Sequence, residues 1–208
     1  MATGQWYWYS GGLSKIINKE VDFNSDTIKL QLHTNAYTPD HQHDYQNDLT
    51  NEVSSGGGYT TGGVTLANCT ITVVDDSALT AWAASTAYQV GQVRRPLAGA
   101  NGYVYRCVVA GTSGGSAPTW PTVVGREVTD GSCVWVCAGR GLVKLDFDDP
   151  SWTSSTITAR YAVMVDTTPG TAATNPLLGY CDFGSDVSTN NGTFAITIDA
   201  DGALHLIV

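Results

Sequence analysis

The 208-residue chain carries 10 Lys and Arg against 19 Asp and Glu, a formal net charge of −9, and is 42% hydrophobic but only 14% charged. Its charged share lies well below the roughly 25% usual in soluble domains, so Thr, Ser, Asn and Gly must solvate the surface of whatever core the apolar residues build. The acidic balance argues against binding a phosphate backbone, and no apolar run approaches the ~20 residues of a membrane span.

The opening residues, MATGQWYWYSGG, lack a basic region followed by an apolar one and are read as carrying no secretory signal. They hold instead four consecutive aromatics, Trp6, Tyr7, Trp8 and Tyr9. Alternate side chains of a strand point to opposite faces, so the four cannot all enter one core. Either the strand is wholly intramolecular, or one of its faces belongs to a partner; aromatics are enriched in interface cores. Residues 12–19 are the best helical stretch, long enough for two turns. DTIKLQLHTNAY alternates in the strand manner, with Ile28, Leu30 and Leu32 on one face. A long polar, turn-rich segment follows, and TLANCTITVVDDS then reads as a strand.

Residues 81–139 differ in composition from their surroundings. They hold Trp82, Trp120 and Trp135 with Tyr88, Tyr103 and Tyr105. Between Leu79 and Arg140 there are five Arg and two acidic residues, a balance of +3, whereas the rest of the chain balances at −12. Opposite charge in two parts of a short chain suggests one domain inserted into another. YQVGQVRR, GYVYRCVVA and CVWVCAG read as three short strands of a β minidomain, with Trp82 and Trp135 in its small core. Trp120, between Pro118 and Pro121 in a Gly-rich loop, is open between packed and exposed. The flanking runs ITVVDD and LVKLDFDD look like two arms of one hairpin with the insert at its tip.

Beyond the insert, TITARYAVMVDT is a continuous apolar strand of the kind buried on both faces, and PLLGYCDFGS is another. NGTFAITIDADGALHLIV reads as a terminal hairpin turning at Asp199 to Gly202. The expected fold is all-β: an antiparallel β-sandwich, jelly-roll-like or immunoglobulin-like, with a small inserted β minidomain. Residues 1–78 and 140–208 form the discontinuous sandwich host, and residues 79–139 the insert.

Candidate chemistry is sparse. His41 and His43 with Asp40 and Asp44 give D-H-x-H-D, near His33 and Asp48, but without a helical H-x-x-x-H face or a second ligand cluster, so a solvated loop is the better reading. Asp146, Asp148 and Asp149 resemble part of a calcium loop that lacks its Gly and distal Glu. The five cysteines are Cys69, Cys107, Cys133, Cys137 and Cys181. Their odd number leaves at least one thiol free, and buried free thiols are the simplest reading. Cys133 and Cys137 are too far apart along a strand to pair with each other, although either could pair with Cys107. No catalytic constellation, metal site or cofactor is expected.

Outside the insert, DTIKLQLHTNAYTPD, HDYQNDLTNEVSSGGGYTTGGVTL, DDPSWTSSTITARYAVMVDTT and PLLGYCDFGSDVSTNNGTFAITIDADGALHL resemble small tailed-bacteriophage virion proteins of the capsid decoration (cement) or tail-associated kind. The insert resembles a chitin-binding type of carbohydrate-binding module through Trp82, Tyr88, Gly91, Val93, Gly102, Tyr103 and Tyr105. Where such modules carry sugar-stacking aromatics this chain has Cys107, Val108 and Val109, which leaves Trp120, supported by Tyr103 and Tyr105, as the carbohydrate-binding candidates. Together the resemblances imply a non-enzymatic virion structural protein, most simply a capsid decoration protein that stabilises the assembled head and displays the module outward. The implied partners are the major capsid protein and copies of the chain itself, as a trimer, with Trp6, Tyr7, Trp8 and Tyr9 at the interface and a glycan as a further ligand. The implied location is the virion's capsid surface, reached from the host cytoplasm during assembly, with neither nucleic acid nor membrane as partner. The alternative is a tail- or head-associated adhesin that binds a cell-surface glycan.

Overall fold

A computed structural model describes residues 2–207 and shows an all-β chain of antiparallel sheets with one α-helix among the described residues. In chain order it runs β1 (Gln5–Trp8), α1 (Ser10–Ile17), β2 (Ile28–His33), β3 (Val64–Thr65), β4 (Thr70–Val74), β5 (Ala87–Tyr88), β6 (Val93–Arg94), β7 (Val104–Val109) and β8 (Gly111–Thr112). It continues through β9 (Glu127–Asp130), β10 (Cys133–Gly139), β11 (Leu142–Asp146), β12 (Ser151–Ser155), β13 (Thr158–Asp166), β14 (Leu177–Ser188), β15 (Gly192–Ala195) and β16 (Leu204–Ile207). Two compact units result: Met1–Thr70 with Asp146–Ile198, and Ile71–Leu145 with Asp199–Val208.

The first unit is a sandwich. Its main sheet has the order β1-β14-β13-β2-β3, and a second, two-stranded sheet pairs β12 with β15. Phe183 of β14 meets Phe194 of β15 with ring centroids 6.1 Å apart, and Phe194 meets Trp152 of β12 at 5.8 Å, which fixes one sheet on the other. The apolar run of β13 is buried on both faces, as its sequence predicts. The opposite face of the main sheet carries Tyr180, Val163 and Val165, closed by Tyr9, Tyr37 and Leu49 from the N-terminal third.

The helix begins two residues earlier than its periodicity predicts, because Gly11 and Gly12 form its first turn. Glycine is a poor helix former, which hides the start. A Cβ on Gly12 would lie 2.4 Å from the Leu178 carbonyl oxygen, so the helix packs on β14 only with glycine there. The strand expected across TLANCTITVVDDS is broken into β3 and β4 at Asn68, which adopts φ 53°, a left-handed conformation that Asn tolerates.

The second unit is built on two sheets, β6-β7-β10-β9 and β16-β11-β4, with β5 paired to β8. The arms β4 and β11 are neighbours, as the flanking sequences suggest. Trp82, Tyr88, Tyr105, Cys107, Cys133, Trp135 and Cys137 form its buried cluster. A second cluster joins Leu79, Val93, Val104 and Leu142, with Val74 and Ile207 packed against it. This unit therefore extends beyond residues 79–139, taking in both arms and the C-terminal strand.

The expected terminal hairpin does not form. Its turn is present, with the Gly202 N–H donating to the Asp199 carbonyl at 2.8 Å and Gly202 at φ 96°. The strands on either side pair elsewhere, β15 with β12 and β16 with β11. A buried ion cluster explains the choice within the second unit. Arg94 donates to Asp199 at 3.0 Å and to Asp201 at 2.9 Å, and Asp201 also accepts the Thr80 N–H. The guanidinium holds the Asp199 carboxyl below its usual range against the cost of burial.

Candidate functional site

The aromatic residues of the second unit converge on one carboxylate. Trp82 Nε1–H donates to Asp130 Oδ2 at 2.7 Å and Trp135 Nε1–H to the same atom at 3.0 Å, while Oδ1 accepts the Gly114 N–H at 2.8 Å. Both indoles and Asp130 are buried, so Trp82 and Trp135 are core residues, as expected of a small β unit. Asp130 ends β9, a strand the sequence reading missed because REVTD is short and polar.

The three carbohydrate candidates fare differently. Tyr105 is 0% exposed. Its hydroxyl accepts from Asn101 Nδ2 at 2.8 Å and donates to the Pro121 carbonyl at 2.9 Å. A ring locked in the core offers no face to a sugar, so the expectation for Tyr105 is corrected. Trp120 is half-buried, 4.5 Å from the Tyr105 ring centroid and 5.8 Å from that of Trp135. Its indole N–H is buried without an acceptor, out of reach of a ligand. Tyr103 is half-buried, with the Arg140 guanidinium 4.6 Å over its ring and donating to its hydroxyl at 2.7 Å. The structure thus brings Tyr105 and Trp120 together as packing rather than as a stacking platform.

The N-terminal aromatics form β1, the edge strand of the five-stranded sheet, in register with β14: Trp6 opposite Cys181, Tyr7 opposite Tyr180 and Trp8 opposite Gly179. Trp6, Tyr7 and Trp8 are half-exposed, but Tyr9 is 0% exposed. Its hydroxyl shares a 2.7 Å hydrogen bond with that of Tyr37, and burial drives its pKa far above the phenol range. Tyr9 is therefore a core residue and is withdrawn from the expected interface. Trp6 meets Phe147 edge-on at 5.7 Å, Tyr7 stacks on Tyr180 at 5.1 Å, and the Trp8 carbonyl accepts from His41 Nδ1 at 3.1 Å. Gln5 to Tyr9 contains no charge and no proline, and the pairing has no bulge, so the protection this edge shows is its four-residue length and the His41 cap on the Trp8 carbonyl.

The histidine loop is structural. His43 Nδ1 bonds the Tyr37 hydroxyl at 3.0 Å, and His33, which is 0% exposed, donates Nδ1–H to the Thr50 carbonyl at 2.8 Å. His33 Nε2 is buried without a partner, and burial lowers its pKa to about 4. Lys15 pairs with Asp44, and the Asp48 carboxylate accepts the Asp44 and Tyr45 N–H groups, which lowers its pKa. Among the described residues no three His, Cys, Asp or Glu are placed to hold a metal ion. Asp148 accepts from Asn68 and Asp149 from the Ile198 N–H, so these acids brace loops.

No family model matches this chain, and no curated protein or solved structure matches it.

Proposed function

We propose that the protein is a non-enzymatic structural component of a phage particle, a decoration protein that attaches to the assembled shell and to copies of itself through the β1 edge. The observation that carries this reading is the neutral, unbulged edge strand with Trp6 and Trp8 half-exposed on it. Aromatic side chains at a half-exposed edge supply interface area at small ordering cost, and a strand edge supplies backbone donors and acceptors for register. A protein that binds only the assembled lattice stabilises it by mass action. The glycan-binding alternative finds less support, because Tyr105 is core and Tyr103 and Trp120 have ring faces engaged inside the unit.

Cryo-electron microscopy of particles assembled with the wild-type chain or with the Trp6→Ser, Trp8→Ser double variant tests the proposal. The expected result is many copies on the head for the wild type and strongly reduced occupancy for the variant. Equal occupancy, or copies confined to the tail, overturns it.

A further inference from the structure

We propose that Asn191 is a site of spontaneous modification by water, where the folded protein converts a carboxamide into an aspartate or isoaspartate carboxylate as it ages. The chain holds two Asn-Gly pairs, Asn101-Gly102 and Asn191-Gly192. Glycine has no side chain to keep its backbone nitrogen away from the preceding carboxamide, so both pairs are open to this chemistry. Both asparagines are exposed. A Cβ on Gly102 would meet nothing within 4 Å, and one on Gly192 nothing closer than 3.9 Å. Exposure and space therefore do not separate the two sites, but hydrogen bonds do. In the second unit the Gly102 N–H donates to Asp76 Oδ2 at 2.7 Å, Asn101 Nδ2 donates to the Tyr105 hydroxyl at 2.8 Å, and Asn101 Oδ1 accepts the Tyr103 N–H at 3.3 Å. The attacking nitrogen and both ends of the carboxamide are thus held. In the first unit Asn191 precedes β15 at φ 48°, a left-handed conformation that Asn tolerates. Its backbone N–H donates to Thr156 Oγ1 at 3.0 Å, while its carboxamide makes no hydrogen bond among the described residues.

The chemistry needs only water and hydroxide. The Gly192 nitrogen gives its proton to hydroxide and attacks Asn191 Cγ. The N–Cγ bond forms, the Cγ–Nδ2 bond breaks, and the departing nitrogen takes a proton from water and leaves as ammonia. The product is a succinimide ring, and water then adds to one of its two carbonyls. Opening at Cγ gives aspartate with the ordinary backbone. Opening at the residue's backbone carbonyl gives isoaspartate, with the chain running through the side chain. Carboxamide and water become carboxylate and ammonium, with no electrons transferred. At Asn101 the proton would have to leave an N–H that donates to a carboxylate, bringing two negative charges together, and the carboxamide would have to release its own partners. The iso-linked product lengthens the backbone just before Gly192, whose carbonyl accepts from the Ser155 hydroxyl at 3.2 Å, so the pairing of β12 with β15 feels the change.

The test incubates the full-length chain in mildly alkaline buffer, once folded and once in denaturant, and follows both sites by peptide mass spectrometry. In the folded chain Asn191 should convert faster than Asn101 by about tenfold or more, since breaking a hydrogen bond to a charged acceptor costs enough for that factor. In denaturant the two rates should converge, because the bonds that protect Asn101 are gone. In support, Asn191→Gln should remove the fast conversion and leave Asn101 slow. No conversion at Asn191 in the folded chain, equal rates there, faster conversion at Asn101, or a preference for Asn191 that persists in denaturant would each overturn the proposal.

Discussion

In the second unit two indole N–H groups converge on one carboxylate, whereas in the first a row of phenols and imidazoles passes hydrogen bonds between its members and leaves His33 Nε2 without a partner. Both arrangements bury large aromatic side chains that carry polar tips. The Asp130 carboxylate satisfies Trp82 and Trp135 with an acceptor-only group, which can serve several donors at once, while the Trp120 N–H packed beside them stays without an acceptor. The Tyr9–Tyr37–His43 row uses groups that both donate and accept, beside a histidine whose charge state depends on pH. Tyr37 and Tyr180 are pushed up to about 12 by burial, so the phenols stay neutral, and the group whose titration weakens this core on acidification is His33, lowered to about 4 by burial. The contrast teaches that aromatic content alone does not set the response of a core; the partners of its polar atoms do.

The largest expected effect comes from removing the shared acceptor. Asp130→Ala leaves two buried indole N–H groups and the Gly114 N–H without their carboxylate, and should destabilise the second unit by about 3–5 kcal/mol. Denaturant unfolding followed by tryptophan fluorescence measures this. A loss under about 1 kcal/mol would mean that the indoles find other partners, and the contrast between the clusters would fail.

The pH response sharpens the comparison from the other side. His33 has a folded pKa lowered to about 4 from an ordinary 6.5, so the unfolded chain takes up the proton first. Its contribution is fully present above about pH 6.5 and is lost as the pH falls towards 4, about 3 kcal/mol in all at about 1.4 kcal/mol per pH unit. Unfolding free energy of the first unit, measured between pH 7 and pH 4, should fall accordingly, and His33→Gln should flatten that slope. His205 is lowered by burial in the second unit and acts in the same direction, so the assignment rests on the variant rather than on the slope alone.

The smallest effect belongs to the edge strand. Trp6 is half-exposed and meets Phe147 only edge-on, so Trp6→Ala should cost the isolated chain about 1 kcal/mol. A loss of 3 kcal/mol or more in thermal unfolding would make Trp6 a core residue like Trp82, and would remove it from the interface.

How much of this was legible in the sequence depended on range. The apolar runs of β13 and β14 and the alternation of β2 announce themselves locally, as does the burial of Trp82 and Trp135. The start of α1 was hidden by Gly11 and Gly12, whose role is close approach to β14. Tyr103 and Tyr105 are two residues apart and look equivalent, yet one lies beneath a guanidinium and the other inside the core. Tyr9 ends a run of four aromatics, but the Tyr37 hydroxyl that holds it is 28 residues away. The partners that decide these cases, Asp130 for Trp82 and Arg94 for Asp199, lie 48 and 105 residues distant, beyond any local pattern.

The discontinuity of both units bears on biosynthesis. Strand β11 is flanked by β4 and by β16, so the second unit's sheet waits for residues 204–207 to leave the ribosome, long after residues 71–145 have emerged. The first unit waits as well, since its two-stranded sheet needs β15 and the Ala2 N–H donates to the Ala195 carbonyl. Nascent chains thus carry the tryptophan-rich segment with its sheet unfinished until residues 204–207 have emerged. The slow, long-range pairing that follows makes the interval between the emergence of residues 71–145 and that of residues 204–207 one in which aggregation competes with folding.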